Sequence, residues 1–392
     1  MKIALFGATG FVGTTLAERL GRRADVELRL FSRGFGNAWR LARSGTTLET
    51  IDVLNPADVE RAVSGCTHVV NCTRGGPDVM IKGLDILLRA SRAARVQRFV
   101  HLSSVAVYGE SPPPEAAHES GPARPEPGSY GAEKLLQDQM VQRAAEKGLS
   151  CVILCPPNIS GVYSSFVCNV LADIRAGSFA LVEGGRLALN VVDVENLAHA
   201  IELALVAPRA DAQRIFVTDG EGLTWRDLAE ALLPLSERDR PIDEVPAHLF
   251  RRSPEPPPKP SLFRSLKHLV SSDVREALRR DPLLARLDKG MRQLVAAAGG
   301  RIEDSLRHAI EGPIKVRQVP DRTPYTSRYN AMQLRNVHHH IDRARELLGY
   351  KPVLSFQASM ARFRTWYEVT HGYGEDFWPL ARALETFKVE PV

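Results

Sequence analysis

The chain has 392 residues, 44% of them hydrophobic, and a net charge of +5, enough apolar material to fill the core of one large domain or two of ordinary size. No stretch reaches the roughly 18 to 20 continuous apolar residues that a membrane-spanning helix needs. The opening MKIALFGATG runs into glycines rather than a small-residue cleavage site, so no secretory leader is apparent and a cytoplasmic protein is expected.

Short β-branched runs alternate with helical patterns through the first half: Lys2–Phe6, a helix near Phe11–Gly21, Val26–Phe31, Leu48–Val53, a helix near Pro56–Ser64, His68–Cys72, a helix near Val79–Arg95, and Phe99–Ser103. That alternation predicts an α/β fold, a doubly wound parallel sheet of the Rossmann type with helices on both faces. Glu110–Gly128, rich in Pro, Gly and Ser, reads as a surface loop leading into a helix that begins near Tyr130. A buried strand at Ser150–Leu154 follows, then a helix near Phe166–Ala176, Ala188–Val192 and Val194–Val206 as strand and helix, and Ile215–Thr218 before Thr224–Leu233, with Thr224 as N-cap. The tail from Asn330 reads as strand or loop, a helix near Ile341–Leu348, and a last helix from Ser355 to about Thr370.

Ser253–Pro260 is an extended, proline-rich break. The segment around it is basic: residues 251–319 hold 15 Lys and Arg against 8 Asp and Glu, which leaves the remainder of the chain at −2. Apolar residues at helical spacing within 261–295 predict amphipathic helices. They either pack on the protein itself, or rest on a membrane surface or cover a greasy substrate; without interleaved aromatics, no nucleic acid partner is expected. Cys66, Cys72, Cys151, Cys155 and Cys168 are odd in number and lack paired ligand spacing, so reduced thiols and no metal site are expected.

Gly7, Gly10 and Gly13 fall immediately after a predicted strand and at the opening of a helix, with Thr9, Phe11 and Val12 between them. Glycine there permits a tight turn and close backbone approach to a pyrophosphate, whose charge the helix N-terminus stabilises. A dinucleotide site is the reading. At the end of the second strand stand Ser32 and Arg33 and no acid, which favours a 2′-phosphate, and hence NADP over NAD. Asp52 and Val53, closing the third strand, border the adenine in this reading, although Asp52 serves equally well as a turn residue; Cys72 and Thr73 close the fourth strand where ligands meet an open sheet.

Tyr130 and Lys134 are four residues apart, so a helix projects both from one face, and a nearby positive charge favours the phenolate of a proton-transferring tyrosine. Ser103 and Ser104 lie where a strand runs out on the same sheet edge, and their hydroxyls either hold a reacting carbonyl or cap the next turn.

With Gly7-x-x-Gly10-x-x-Gly13, Ser103-Ser104-x-x-x-Tyr108-Gly109, Tyr130-x-x-x-Lys134 and Pro156-Pro157-Asn158-x-x-Gly161 in this order, the chain resembles the extended short-chain dehydrogenase/reductases, the NAD-dependent epimerase/dehydratase family. The likeness covers residues 1–235 and returns in Asp342–Pro352. It implies Ser104, Tyr130 and Lys134 as catalytic residues, Lys134 also on the nicotinamide ribose, and Pro157 and Asn158 beside the cofactor. It implies an NAD(P)-binding domain over 1–155, with 188–218 contributing further α/β elements, and a substrate lobe over 156–392 carrying a basic helical insertion at 251–320. Dimerisation through helices near 79–95 and 130–146 is a further implication.

Departures narrow the reaction. Where the family's dehydratases and decarboxylases carry an acid just after the catalytic hydroxyl, this chain has Val105 and Ala106. The Arg and Tyr frequent in sugar-nucleotide enzymes are missing from Cys155–Gly161, although Arg186 remains available to clamp a diphosphate. Asn196 replaces a common aspartate, as in members acting on hydroxysteroids and other hydrophobic ketones. The expectation is an oxidoreductase moving hydride between the nicotinamide and a carbinol or ketone carbon of a small-molecule substrate, with a nucleotide-sugar epimerase using the same residues and NAD as the alternative.

Overall fold

The computed structural model describes residues 1–34, 36–43, 46–208, 212–220, 222–250 and 324–371. The expected insertion at 251–320, with its amphipathic stretch at 261–295, lies outside them. The chain divides into two units, Met1–Leu249 with Tyr325–Val392, and Phe250–Pro324; the strands and helices of the described residues belong to the first.

Its strands are β1 (Lys2–Phe6), β2 (Glu27–Ser32), β3 (Leu48–Thr50), β4 (His68–Asn71), β5 (Arg98–Leu102), β6 (Cys151–Cys155), β7 (Asn158–Ser160), β8 (Leu181–Val182), β9 (Val191–Asp193), β10 (Arg214–Phe216) and β11 (Glu244–Val245). Among the described residues a seven-stranded parallel sheet runs in the order β10-β6-β5-β4-β1-β2-β3, with Leu5 beside Leu30 on one flank and Val70 on the other. Every residue of β4, β5 and β6 is buried, as expected of strands covered on both faces. The strand order reverses between β1 and β4, and that switch opens a crevice at the carboxyl edge of the sheet.

Alternation along β1 sorts side chains to two cores. Ile3 and Leu5 join Leu16 and Leu20 of α1 (Phe11–Leu20) and Leu197 and Ile201 of α6 (Val194–Val206). Ala4 and Phe6 face Val59 of α2 (Pro56–Val63), Leu84 and Leu88 of α3 (Leu84–Ala93) and Val141 of α4 (Tyr130–Glu146). Each such Leu, Ile or Phe contributes roughly 1.5–3 kcal/mol by leaving water.

A third core gathers Phe166 and Leu171 of α5 (Ser165–Arg175), Trp225 and Leu228 of α7 (Trp225–Leu232), Tyr329 of α8 (Arg328–Met332), and Phe356 and Phe363 of α10 (Phe356–His371). Thr224 caps α7 as expected, in a reciprocal pair with Asp227. Ala344 and Leu348 of α9 (Asp342–Leu348) return to the first core, so the tail packs beside the sheet.

Two local expectations change. The third strand stops at Thr50, because the Asp52 carboxylate accepts the Leu54 amide at 2.9 Å and folds the chain into a turn. The stretch at Asn330 is helical, started by Ser327, whose hydroxyl accepts the Tyr329 amide at 3.2 Å.

Candidate active site

The glycine turn leaves no space for side chains. Gly7 takes φ +78°, and its amide and that of Ala8 donate to the Phe31 carbonyl at 3.0 and 3.2 Å, tying the turn to β2. A Cβ at Gly7 would lie 2.6 Å from the Cys72 carbonyl oxygen, and one at Gly13 would lie 2.2 Å from the Gly7 carbonyl oxygen. Gly10 begins α1 without any side-chain cap, and the first turn of that helix carries no acid. First-turn amides that no side chain claims, above a cradle that only hydrogen fits, suit the pyrophosphate of a dinucleotide. Val12 turns its side chain into the core, Phe11 is half-buried against it, and the Thr9 hydroxyl pairs with that of Ser32 at 2.7 Å.

At the end of β2, Arg33 is exposed, and its sequence neighbours Ser32 and Gly34 are not acids. Asp52 is exposed too, but its carboxylate belongs to the turn described above. Val53 is half-buried, and a Cβ at Gly83 would touch it at 3.0 Å. Cys72 carries its thiol above the ordinary range, pushed up by burial to about 12. Thr73 is fixed by Asn71, whose carbonyl oxygen accepts both the Thr73 amide (3.1 Å) and hydroxyl (2.7 Å). The Asn71 amide nitrogen meets His101 Nδ1 at 3.2 Å, and burial holds that imidazole neutral. Asn158, at the start of β7, reaches the Met332 sulfur at 3.5 Å, with Pro157 half-buried before it.

Ser129 starts α4 by accepting the Ala132 amide at 3.2 Å, which sets Tyr130 at the first helical position and Lys134 one turn later. Gly131 makes the placement work: a Cβ there would lie 2.1 Å from the Ala106 carbonyl oxygen, so the helix start lies directly on the turn that follows Ser104. Lys134 is buried and its Nζ donates to the Leu102 carbonyl at 2.8 Å. The same Nζ lies 5.8 Å from the centroid of the Tyr130 ring, which is 42% exposed. Burial draws the lysine down to about 8, opposed first by the Asp138 carboxylate one turn along. Ser104 is half-buried and accepts the Ala106 amide at 3.2 Å, so it caps the next turn while standing at the site.

One feature differs from the sequence reading. The Tyr130 phenol lies above its ordinary value, not below, because desolvation outweighs nearby positive charge. The cation that acts against that rise is Arg74, whose guanidinium carbon is 5.4 Å from the ring centroid. Asn196, which stands where the family commonly has an aspartate, is a structural clamp: it is fully buried, donates to Asp219 (2.7 Å) and the Leu354 carbonyl (2.9 Å), and accepts the amides of Val353 and Leu354. Arg74 and His101 escaped sequence reasoning, although Arg74 directly follows the Asn71-Cys72-Thr73 strand end singled out there.

Elsewhere, a cavity of about 410 Å³ is lined by His118, Glu119, His340, Asp342 and Arg343 among others, and by none of the residues above. Among the described residues there is no cluster of metal-ligating side chains and no helix long and apolar enough to cross a membrane.

A doubly wound sheet with a glycine cradle at its switch point defines a dinucleotide-binding protein of the Rossmann class. More specifically, residues 3–218 match the NAD dependent epimerase/dehydratase family, and the chain belongs to it. It is 27% identical over 268 residues to the 4-hydroxy-2-methyl-3-oxo-4-farnesyl-3,4-dihydroquinoline-1-oxide ketoreductase of Stigmatella aurantiaca, covering 64% of this chain and 78% of that one. It is 31% identical over 293 residues to a UDP-glucose 4-epimerase of Streptomyces lividans, covering 64% and 86%. The solved structure of dTDP-glucose 4,6-dehydratase from Bacillus anthracis, in complex with NAD, shares the fold at a TM-score of 0.64 and 13% identity, over 97% of this chain and 99% of that one.

Proposed function

We propose that the chain is an NADP-preferring oxidoreductase that moves hydride between the nicotinamide and a carbinol or ketone carbon of a small-molecule substrate. The observation that carries this is the meeting of Tyr130 and Lys134 at the sheet edge that bears the glycine cradle. Gly7, Gly10, Gly13 and the start of α1 would hold the pyrophosphate, and Lys134 the nicotinamide ribose. When bound, the cofactor supplies or accepts the hydride.

The protein's own part is proton transfer and orientation. In the reducing direction the Tyr130 hydroxyl gives its proton to the carbonyl oxygen as the carbon gains hydride; in the oxidising direction it takes that proton back. Ser104 donates a hydrogen bond to the same oxygen and fixes its position. Val105 and Ala106 follow Ser104 and cannot carry a second proton, which argues for hydride transfer without elimination. Arg33 at the end of β2 supports NADP, since a guanidinium pairs with a 2′-phosphate and no acid is there to bind a 2′-hydroxyl.

The epimerase reading is favoured by the Streptomyces lividans relative and uses the same residues. Mass spectrometry of nicotinamide released on denaturation, followed by titration of NADP(H) and NAD(H), separates the two. An empty protein that binds NADPH better than NADH supports the reductase. Tightly retained NAD supports the epimerase, and binding of neither cofactor overturns both.

A further inference from the structure

We propose that Arg74 is a positioning residue of the reaction: its guanidinium holds the Tyr130 ring and supports the phenolate that forms when the proton leaves. The assignment rests on Tyr130 being the proton carrier. Arg74 follows β4 in the exposed run Arg74-Gly75-Gly76-Pro77, and its guanidinium carbon sits 5.4 Å from the Tyr130 centroid. Arg19 and Arg61 face carboxylates, those of Glu202 and Asp58. Arg74 lies over an aromatic ring instead, where the negative face of the ring attracts the cation.

The charges around Tyr130 explain why a second cation matters. Glu133 and Asp138 on its own helix both disfavour the phenolate. Asp138 is itself tied to Arg214 at 2.8 Å. Lys134 lies 5.8 Å from the ring, but its ammonium is turned to the Leu102 carbonyl, and burial brings its loss of charge down to about pH 8. A guanidinium keeps its charge across the whole working range. Arg74 is therefore the permanent positive charge at the phenol. Arg74 also disfavours the charged form of Lys134, so the two cations are coupled through one site.

The test needs neither cofactor nor substrate. The chain is labelled with [¹³Cζ]tyrosine, the Tyr130 line is assigned by its loss in Tyr130→Phe, and its chemical shift is titrated with pH in wild type, Arg74→Gln and Arg74→Lys. Arg74→Gln is expected to lower the ionisation constant of Tyr130 by on the order of threefold. Arg74→Lys should restore most of it, and the lines of the other tyrosines should stay in place. A Tyr130 midpoint that is unchanged or lower in Arg74→Gln overturns the assignment. A midpoint that rises in a protein binding no nicotinamide cofactor would instead leave the coupling standing and remove the proposed function.

Discussion

Replacing Gly13 by Ala tests the cofactor cradle directly. The added Cβ would sit 2.2 Å from the Gly7 carbonyl oxygen, and that neighbour is backbone with no rotamer to yield. Ordinary van der Waals separation begins near 3.4 Å, so the start of α1 must move from the β1 turn by about 1 Å. Amides displaced that far lose geometry with a bound pyrophosphate. One or two charge-assisted hydrogen bonds at about 1.5–3 kcal/mol each correspond to a loss of at least about tenfold in affinity. Isothermal calorimetry with NADPH and NADH reads the loss, and thermal unfolding checks that the variant folds, with overpacking expected to cost about 1–3 kcal/mol. Gly222→Ala is the control, because a Cβ there meets nothing within 4 Å. A folded Gly13→Ala protein that binds both cofactors as wild type does would refute the cradle.

Arg33→Ala should weaken NADPH binding by roughly 10- to 100-fold and leave NADH nearly unchanged, read by the same titrations; equal losses for both would remove the selectivity argument. Lys134 binds its proton more weakly in the fold than in the unfolded chain, so the unfolded chain holds more protons between about pH 8 and 10.5, and stability rises with pH through that window. Lys134→Met should therefore be more stable than wild type at pH 7 by up to about 3 kcal/mol, less about 1 for the stranded Leu102 carbonyl. Denaturant unfolding should show that advantage shrinking as pH approaches 10.5, and an advantage flat with pH would contradict the burial argument. Asn196→Asp would set a buried carboxylate against Asp219 and remove both donated hydrogen bonds, at a cost of about 3–5 kcal/mol. An unfolding free energy within about 1 kcal/mol of wild type would show that the clamp on residues 353–354 matters little.

What the sequence made legible were features whose cause is local. The helix at Val194–Val206 was readable because its apolar spacing, and Asp193 as its cap, lie within the segment. The glycine turn was readable because strand, turn and helix are consecutive. Arg74 was not, since its partner is 56 positions away and exposed arginines normally face water or carboxylates. The direction of the Tyr130 shift failed for a similar reason: helical spacing places Lys134 near the ring, but the desolvation that raises the phenol comes from the packed fold around it. The structural role of Asn196 was not legible, because the segment whose backbone occupies its amide lies some 158 residues later.

The proposed function makes Tyr130 the proton carrier for hydride transfer on a bound nicotinamide. It is tested most directly by offering wild type and Tyr130→Phe a panel of apolar ketones and nucleotide sugars with [4-²H]NADPH of both stereochemistries, and reading the products by mass spectrometry. Deuterium is expected on the carbinol carbon from one face of the cofactor only, with a rate about 10²- to 10⁴-fold lower in Tyr130→Phe at unchanged NADPH affinity. Transfer at the wild-type rate by Tyr130→Phe would contradict it.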